Sequence, residues 1–199
     1  MSSRRKFIQT SAIALSASSL LPFSGAANTI QHKSMLKKEF LQTGMAGYSF
    51  VNYNIDQTIA IMNRTGINNI SVKDFHLPLN SSQQTIDEVM GKFKKGGIQV
   101  YTVGVIYMKT EAEVDRAFDY AKRVGVNLII GVPGYDLLTY TEKKVKEYNI
   151  RIAIHNHGPE DKLYPGPKDV YNRISGMDKR VGLCLDIGHA FRAGVMPDK

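Results

Sequence analysis

Four of the five histidines, His76, His155, His157 and His189, together with Lys73, Tyr107, Asp161 and Asp186, are the residues whose types and spacing can do chemistry. His155-Asn156-His157 is an alternating pair, and in an extended segment side chains two apart share a face, so both imidazoles point the same way. Imidazole and carboxylate are borderline ligands suited to Mn²⁺, Zn²⁺ or Fe²⁺. Asp186, on the following apolar run, can give a carboxylate oxygen to the same ion as His155. His189, three residues further on, can bind that ion or orient a hydroxyl of a bound molecule. The bland alternative is that Asp186 caps the next turn and the histidines bond to backbone. Lys73 shares a face with Ser71 and can polarise a carbonyl or act as a base once burial lowers its pKa, or it can simply pair with Asp74. Lys73, His157 and His189 are thus the candidates for catalysis, His155 and Asp186 for metal, and Tyr107, His76 and Asp161 for contacts to a ligand.

Those side chains need a scaffold that presents them together. From residue 44 onward, apolar β-branched runs alternate with amphipathic segments. Strands are predicted at 44–50, 67–73, 98–105, 126–132, 150–155 and 180–186. Helix punctuation lies between them. Asn54 caps a helix carrying Ile55, Ile59 and Met62 that stops at Gly66. Ser81-x-x-Gln84 and Thr110-x-x-Glu113 read as capping boxes, and Gly96-Gly97 and Gly125 supply positive-φ stops. Leu138, Val145 and Tyr148 form the inner stripe of a fourth helix.

Repeated βα units imply a parallel sheet, because each crossover helix returns the chain to the same end. An open doubly wound sheet and a (β/α) barrel both satisfy that condition. No G-x-G-x-x-G follows the first strand and no Walker loop occurs. In 181–186 the bulky Val181, Leu183 and Leu185 alternate with Gly182, Cys184 and Asp186. Likewise Ile150, Ile152 and Ile154 leave His155 and His157 on the opposite face. Bulky outside and small or polar inside predicts an α/β fold of the (β/α) TIM-barrel type. The four histidines then fall at or just beyond C-terminal strand ends, the face where active sites of that architecture sit.

The chain has 199 residues, 26 Lys+Arg, 18 Asp+Glu, one Cys and no Trp, with 43% apolar and 22% charged residues, which excludes a disordered or disulfide-built protein. Residues 1–26 read as an export signal: Arg4, Arg5 and Lys6, an apolar small-residue segment at 11–21, then Ser24-Gly25-Ala26. Ser3-Arg4-Arg5-Lys6-Phe7-Ile8 is of the twin-arginine kind, so export to the periplasm is expected, with 27–43 a lead-in and 44–199 the barrel domain. The apolar part is shorter than the ~20 residues that span a bilayer, so no stable membrane span is expected. Without 1–26 the net charge falls from +8 to +5, spread over short runs such as Lys92/Lys94/Lys95 and Lys143/Lys144/Lys146. No aromatic–basic stripe accompanies them, and no nucleic-acid partner is expected.

Ile154-His155-Asn156-His157-Gly158-Pro159-Glu160-Asp161 and Cys184-Leu185-Asp186-Ile187-Gly188-His189-Ala190 resemble the sugar phosphate isomerase/epimerase family with the xylose isomerase-like barrel. Ser71-Val72-Lys73-Asp74-Phe75-His76-Leu77 and Val103-Gly104-Val105-Ile106-Tyr107 also look like that family, in its exported bacterial branch. The resemblance implies a divalent metal (Mn, Zn, Co, Fe or Mg) at the barrel rim and chemistry at a sugar carbon next to a carbonyl. On that template Asp186 matches the sixth-strand carboxylate ligand and His189 its companion histidine. His155 stands where many epimerases carry a glutamate ligand, which keeps a metal donor but removes a proton-transfer carboxylate. Proton removal beside a carbonyl gives an enediolate whose charge a metal offsets. Its reprotonation yields an isomerase or epimerase, and loss of a β-leaving group yields a lyase acting on a keto-glycoside. Export points to a small unphosphorylated sugar or keto-sugar as substrate.

Six strands are fewer than the eight of a closed barrel, which typically needs about 250 residues. The sequence therefore reads as a barrel truncated after the sixth strand, a fragment of a longer protein, with a decayed remnant or a barrel completed by self-association as alternatives. A non-catalytic sugar-binding barrel is the competing functional class. An apurinic endonuclease relative is argued against by export and by the lack of a basic groove.

Overall fold

The structure, a computed structural model, describes residues 41–196. The export signal at 1–26 and nearly all of the lead-in fall outside the described residues. Six strands, β1 (Met45–Ala46), β2 (Asn69–Val72), β3 (Gln99–Met108), β4 (Leu128–Pro133), β5 (Arg151–His155) and β6 (Val181–Cys184), form one sheet. The helices are α1 (Ile55–Thr65), α2 (Gln83–Lys95), α3 (Glu111–Val124), α4 (Leu138–Tyr148), α5 (Pro167–Ile174) and α6 (Ile187–Arg192).

All five strand pairings are parallel and the spatial order is β1-β2-β3-β4-β5-β6. Crossover connections share one hand, so a sheet whose order never reverses carries all its helices on one side. That is the wall of a (β/α) barrel; a doubly wound sheet needs a reversal. Ile129, Ile152 and Ile154 are buried in the core with Val114, Phe118, Val145 and Val170 from the helices. Ser71, Tyr101, Gly104, His155 and Cys184 line a small cavity on the other face, about 150 Å³. Among the described residues no helix is long and apolar enough to cross a membrane.

Local chemistry sets the element ends. Asn54 caps α1 reciprocally with Gln57, and Gly66 ends it at φ 70°. Thr110 accepts from the Glu113 amide, while the Glu113 carboxylate reaches one residue further back than a standard box, to the Lys109 amide. The expected box at Ser81 is displaced by one residue. Ser81 N–H is already used by the Pro78 carbonyl in a turn, so Ser82 becomes the cap of α2 and accepts from Thr85.

Two strand expectations change. The first strand was expected over 44–50, but it ends at Ala46 and the chain enters a 3-10 turn, Gly47–Phe50. Gly47 lies so close to the Ser71 carbonyl and the Lys73 amide that a Cβ there would stand 2.6 Å from Ser71 O, and the chain turns over the rim at that point. β3 is longer than expected. A bulge between Gly104 and Ile106 carries it to Met108 and places Tyr107 on the strand. Gly104 has φ 129° against the Ile130 carbonyl, where any side chain would collide.

On β6, Val181 is buried as expected of a helix-facing residue, but Leu183, and Leu185 just past the strand, are exposed. No strand is described beyond β6.

Candidate functional site

The C-terminal ends of β5 and β6 build the site. His155 is the last residue of β5, directly opposite Cys184, the last residue of β6. Two residues beyond the strand, Asp186 caps α6: its Oδ1 accepts from the His189 amide at 2.8 Å. The capping role and the chemical role do not compete, because Oδ2 stays free. It lies 3.9 Å from His155 Nε2 and 3.9 Å from His189 Nε2. The imidazoles of His155 and His157 meet edge to face with centroids 4.5 Å apart, and both rings stand 5.8 Å from that of His189.

Across the rim, Tyr107 from β3 stacks on His157 and its hydroxyl lies 2.9 Å from His157 Nε2. Asp161 approaches the other side of the ring, with Oδ2 3.6 Å from Nδ1. Its Oδ1 accepts from the amides of Leu163 and Tyr164, and so folds the loop after β5 on itself. Lys73 follows β2; its Nζ donates to the Val105 carbonyl at 2.9 Å and pairs with Asp74 at 3.2 Å. Together these groups line an open cleft of about 620 Å³: Tyr48, Lys73, Tyr107, His155, His157, Asp186 and His189, with Ala46 and Val105. A second concavity, about 530 Å³, opens at the opposite end of β3 around Met90 and Ile98, and offers only Asp87 and Lys94 as charged groups.

His76, expected as a ligand contact, is not in the cleft. The turn formed by the His76 and Leu77 amides on the Lys73 carbonyl curls it back, and it is buried with Nε2 3.0 Å from the Tyr53 carbonyl. Asp161 stands behind His157 and does not line the cleft, so its effect on a ligand passes through that ring. Two residues carry structural duties that the sequence reading did not assign. Asn156, fully buried, exchanges two hydrogen bonds with the Asp186 backbone, and Arg192 joins α6 to the His157–Glu160 loop. The flanking H-x-H pattern marks Asn156 only by its central position.

Electrostatics follow from burial. Desolvation pushes the His155 imidazole down to about 4, helped by neighbouring His157, so it presents a lone pair at neutral pH. Desolvation also lowers His157. It pushes the Tyr107 phenol up, with Asp161 adding to the effect, which keeps the O–H as a donor. For Asp186, burial acts upward but is outweighed by the His189 amide and the nearby imidazoles, which hold its carboxyl below the ordinary range.

Donor atoms of His155, Asp186 and His189 lie within 4.8 Å of one another, the one such grouping among the described residues. Ligands at about 2 Å from a shared ion fall within that spread. His155 Nδ1 is buried without a partner, so no protein bond occupies that ring's second nitrogen. The residues present therefore fit a divalent metal.

No family model matches this sequence, and no curated protein matches it. Solved structures do. An uncharacterized protein from Parabacteroides distasonis is 25% identical, with 73% of this chain and 63% of that one covered at a TM-score of 0.63. The IOLI protein, solved with a binding zinc atom, is 16% identical, with 76% and 65% covered and a TM-score of 0.63. A D-tagatose 3-epimerase-like protein is 15% identical, with 74% and 65% covered and a TM-score of 0.57. The chain thus spans a little under two thirds of the length of these structures. They establish the fold: part of a (β/α) barrel of the xylose isomerase-like type.

Proposed function

We propose that this chain carries the metal-binding part of a sugar isomerase- or epimerase-type active site. One observation carries the reading: His155, Asp186 and His189 converge at the C-terminal rim within the cleft that also holds Lys73 and the Tyr107–His157 pair. Active sites of barrels sit on that rim. The zinc in the IOLI protein and the sugar chemistry named for the epimerase-like neighbour support it. A divalent ion bound there supplies Lewis-acid stabilisation of the oxygen charge that develops when a proton leaves a carbon beside a carbonyl.

The residues divide the remaining work. His155 Nε2 and Asp186 Oδ2 hold the ion. Lys73 Nζ sits at the cleft wall, where it can donate to a carbonyl oxygen. The Tyr107 hydroxyl, bonded to His157 Nε2, can pass a proton between the cleft and the imidazole. The twin-arginine-like start favours export, and with it an unphosphorylated sugar or keto-sugar.

One observation favours a second reading. Among the described residues lining the cleft, Asp186 is the sole carboxylate. A barrel that binds sugar without turning it over fits that composition. Deuterium exchange decides between the two. With added Mn²⁺, Zn²⁺ or Co²⁺, the full chain is expected to exchange the C1 or C3 proton of a ketose in D₂O, followed by NMR. Sugar binding without exchange would overturn the catalytic reading, and absence of metal uptake would overturn the metal reading.

A further inference from the structure

Three aromatic rings beside the ends of β1 and β2 keep a face in water although the backbone that carries them is fixed. Tyr48 is 68% exposed, Tyr53 45% and Phe75 41%, and Val51 between the two tyrosines is 53% exposed. Phe50 is buried, the Val51 amide donates to the Tyr48 carbonyl at 3.3 Å, and the Tyr53 amide donates to the Phe50 carbonyl at 2.9 Å. Phe75 meets the buried His76 edge to face with centroids 4.6 Å apart, and His76 Nε2 lies 3.0 Å from the Tyr53 carbonyl. One histidine thus ties the loop after β1 to the loop after β2. Large aromatic faces left in water on anchored loops mark a binding surface.

Tyr48 joins that surface to the cleft. It lines the cleft with Lys73 and Tyr107, and it also meets Phe75, with centroids 6.3 Å apart and planes at 72°. Two rings at that angle form a corner of aromatic faces outside the cleft wall. Asp74, one residue before Phe75, keeps 58% of its side chain exposed and pairs with Lys73 through Oδ1 at 3.2 Å, which leaves Oδ2 to accept from a ligand. We propose that Tyr48, Phe75 and Asp74 form a second sugar subsite, and that the ligand is a glycoside of at least two rings, one in the cleft and the next on this shelf. The placement of the first ring rests on the function proposed above; the preference of the shelf for a sugar ring does not.

The chemistry of the shelf selects its occupant. The C–H face of a pyranose ring packs on the electron-rich face of an aromatic side chain, while the ring's hydroxyls donate to a carboxylate. A purely apolar partner would strip water from Asp74 and return no hydrogen bond, and an anionic one would be repelled by it. A neutral hydroxylated ring meets both requirements. His76 touches no ligand in this arrangement; it is a positioning residue that holds Phe75 and the Tyr48 loop in place.

The test titrates the full, metal-free chain by saturation-transfer NMR with cellobiose, maltose and lactose, and with the methyl glucosides and methyl galactoside that carry one ring each. At least one disaccharide is expected to bind about five- to tenfold more tightly than its one-ring counterpart, the worth of one aromatic stacking contact. Phe75→Leu keeps apolar bulk without an aromatic face and is expected to erase that gain, whereas Phe75→Tyr keeps it. Binding of the one-ring glycosides is expected to stay within about twofold in both variants, because Phe75 lies outside the cleft. Disaccharides that bind no more tightly than one-ring glycosides, or a gain that survives Phe75→Leu, would overturn the subsite. Concentration-dependent association of the unaltered chain that Phe75→Leu relieves would also overturn it, since a second copy then covers the shelf. A gain through Phe75 for 4-nitrophenyl β-glucoside and for no disaccharide would overturn the sugar assignment in favour of a planar ring. Co²⁺ uptake is measured separately: a disaccharide gain in a chain that takes up no Co²⁺ would overturn the metal reading and leave the second subsite standing.

Discussion

Asn156 and Asp186 bind each other as two peptide groups would: Asn156 Nδ2 donates to the Asp186 carbonyl at 3.1 Å, and the Asp186 amide donates to Asn156 Oδ1 at 2.9 Å. The β5–β6 ladder has its last paired residues at His155 and Cys184. The buried amide adds one rung beyond it. The residue between the two histidines thereby ties the carboxylate of one strand end to the imidazoles of the other.

Asn156→Leu is expected to leave the Asp186 amide without a partner, while its carbonyl keeps the bond from the Ala190 amide, at a cost of about 1–3 kcal/mol. Urea denaturation at unchanged m-value measures it. Metal affinity is expected to fall roughly 10–100-fold, as when an outer partner of a ligand is removed. Asn156→Asp sets an oxygen against the Asp186 carbonyl and is expected to lose affinity too. Unaltered stability and affinity in both variants would show that the Asn156–Asp186 pair has no role in placing the carboxylate.

The Asp161 side chain separates two effects. Asp161→Asn keeps an oxygen for the Leu163 and Tyr164 amides, whereas Asp161→Ala removes it. Hydrogen exchange at those two amides is expected to accelerate in Asp161→Ala and to stay slow in Asp161→Asn. Equal protection in both would show that the loop is held by its backbone bonds alone.

Tyr107→Phe deletes the hydroxyl bonded to His157 but keeps the stacked ring. Stability is expected to change by less than about 1.5 kcal/mol, the usual range for one hydrogen bond. Deuterium exchange into sugar is expected to drop at least about tenfold, the lower reach of a general acid–base group being somewhat larger still. An unchanged exchange rate would remove Tyr107 from proton transfer.

The pH dependence of stability is set in part by Asp178. Arg180 grips both of its oxygens at 2.9 and 2.8 Å, and together with the Arg180 amide this holds the carboxyl far below the usual range. A carboxylate depressed in the folded state adds stability above its unfolded pKa, about 3.9, and loses it as the pH falls towards the folded value. Asp178→Asn is therefore expected to be less stable than the unaltered chain at pH 6, with the gap narrowing between pH 4 and pH 2. Urea midpoints at those three values measure it; a gap that stays constant would show that the pair adds nothing through its charge.

Much of this protein is written in short-range signals. The caps at Asn54 and Thr110, the stop at Gly66 and the alternation of Ile150, Ile152 and Ile154 are local effects of backbone sterics and side-chain period, so the βα order and the outward and inward faces were legible without coordinates. The histidine pair and Asp186 were legible for the same reason: a strand end can be read from a pattern of period two. What lay beyond the sequence spans long separations. His76 shares a strand end with Lys73 on paper, yet one turn on the Lys73 carbonyl buries it against Tyr53. Tyr107 meets His157 across 50 residues because a bulge at Gly104 extends and re-aims β3. The sequence by itself determined which donor groups exist and which face each takes along its own strand. Only the tertiary structure decided which of them touch and how Asn156 fastens the carboxylate. Those depend on inter-strand register and core packing, which place atoms to within an ångström and leave no periodic trace in the chain.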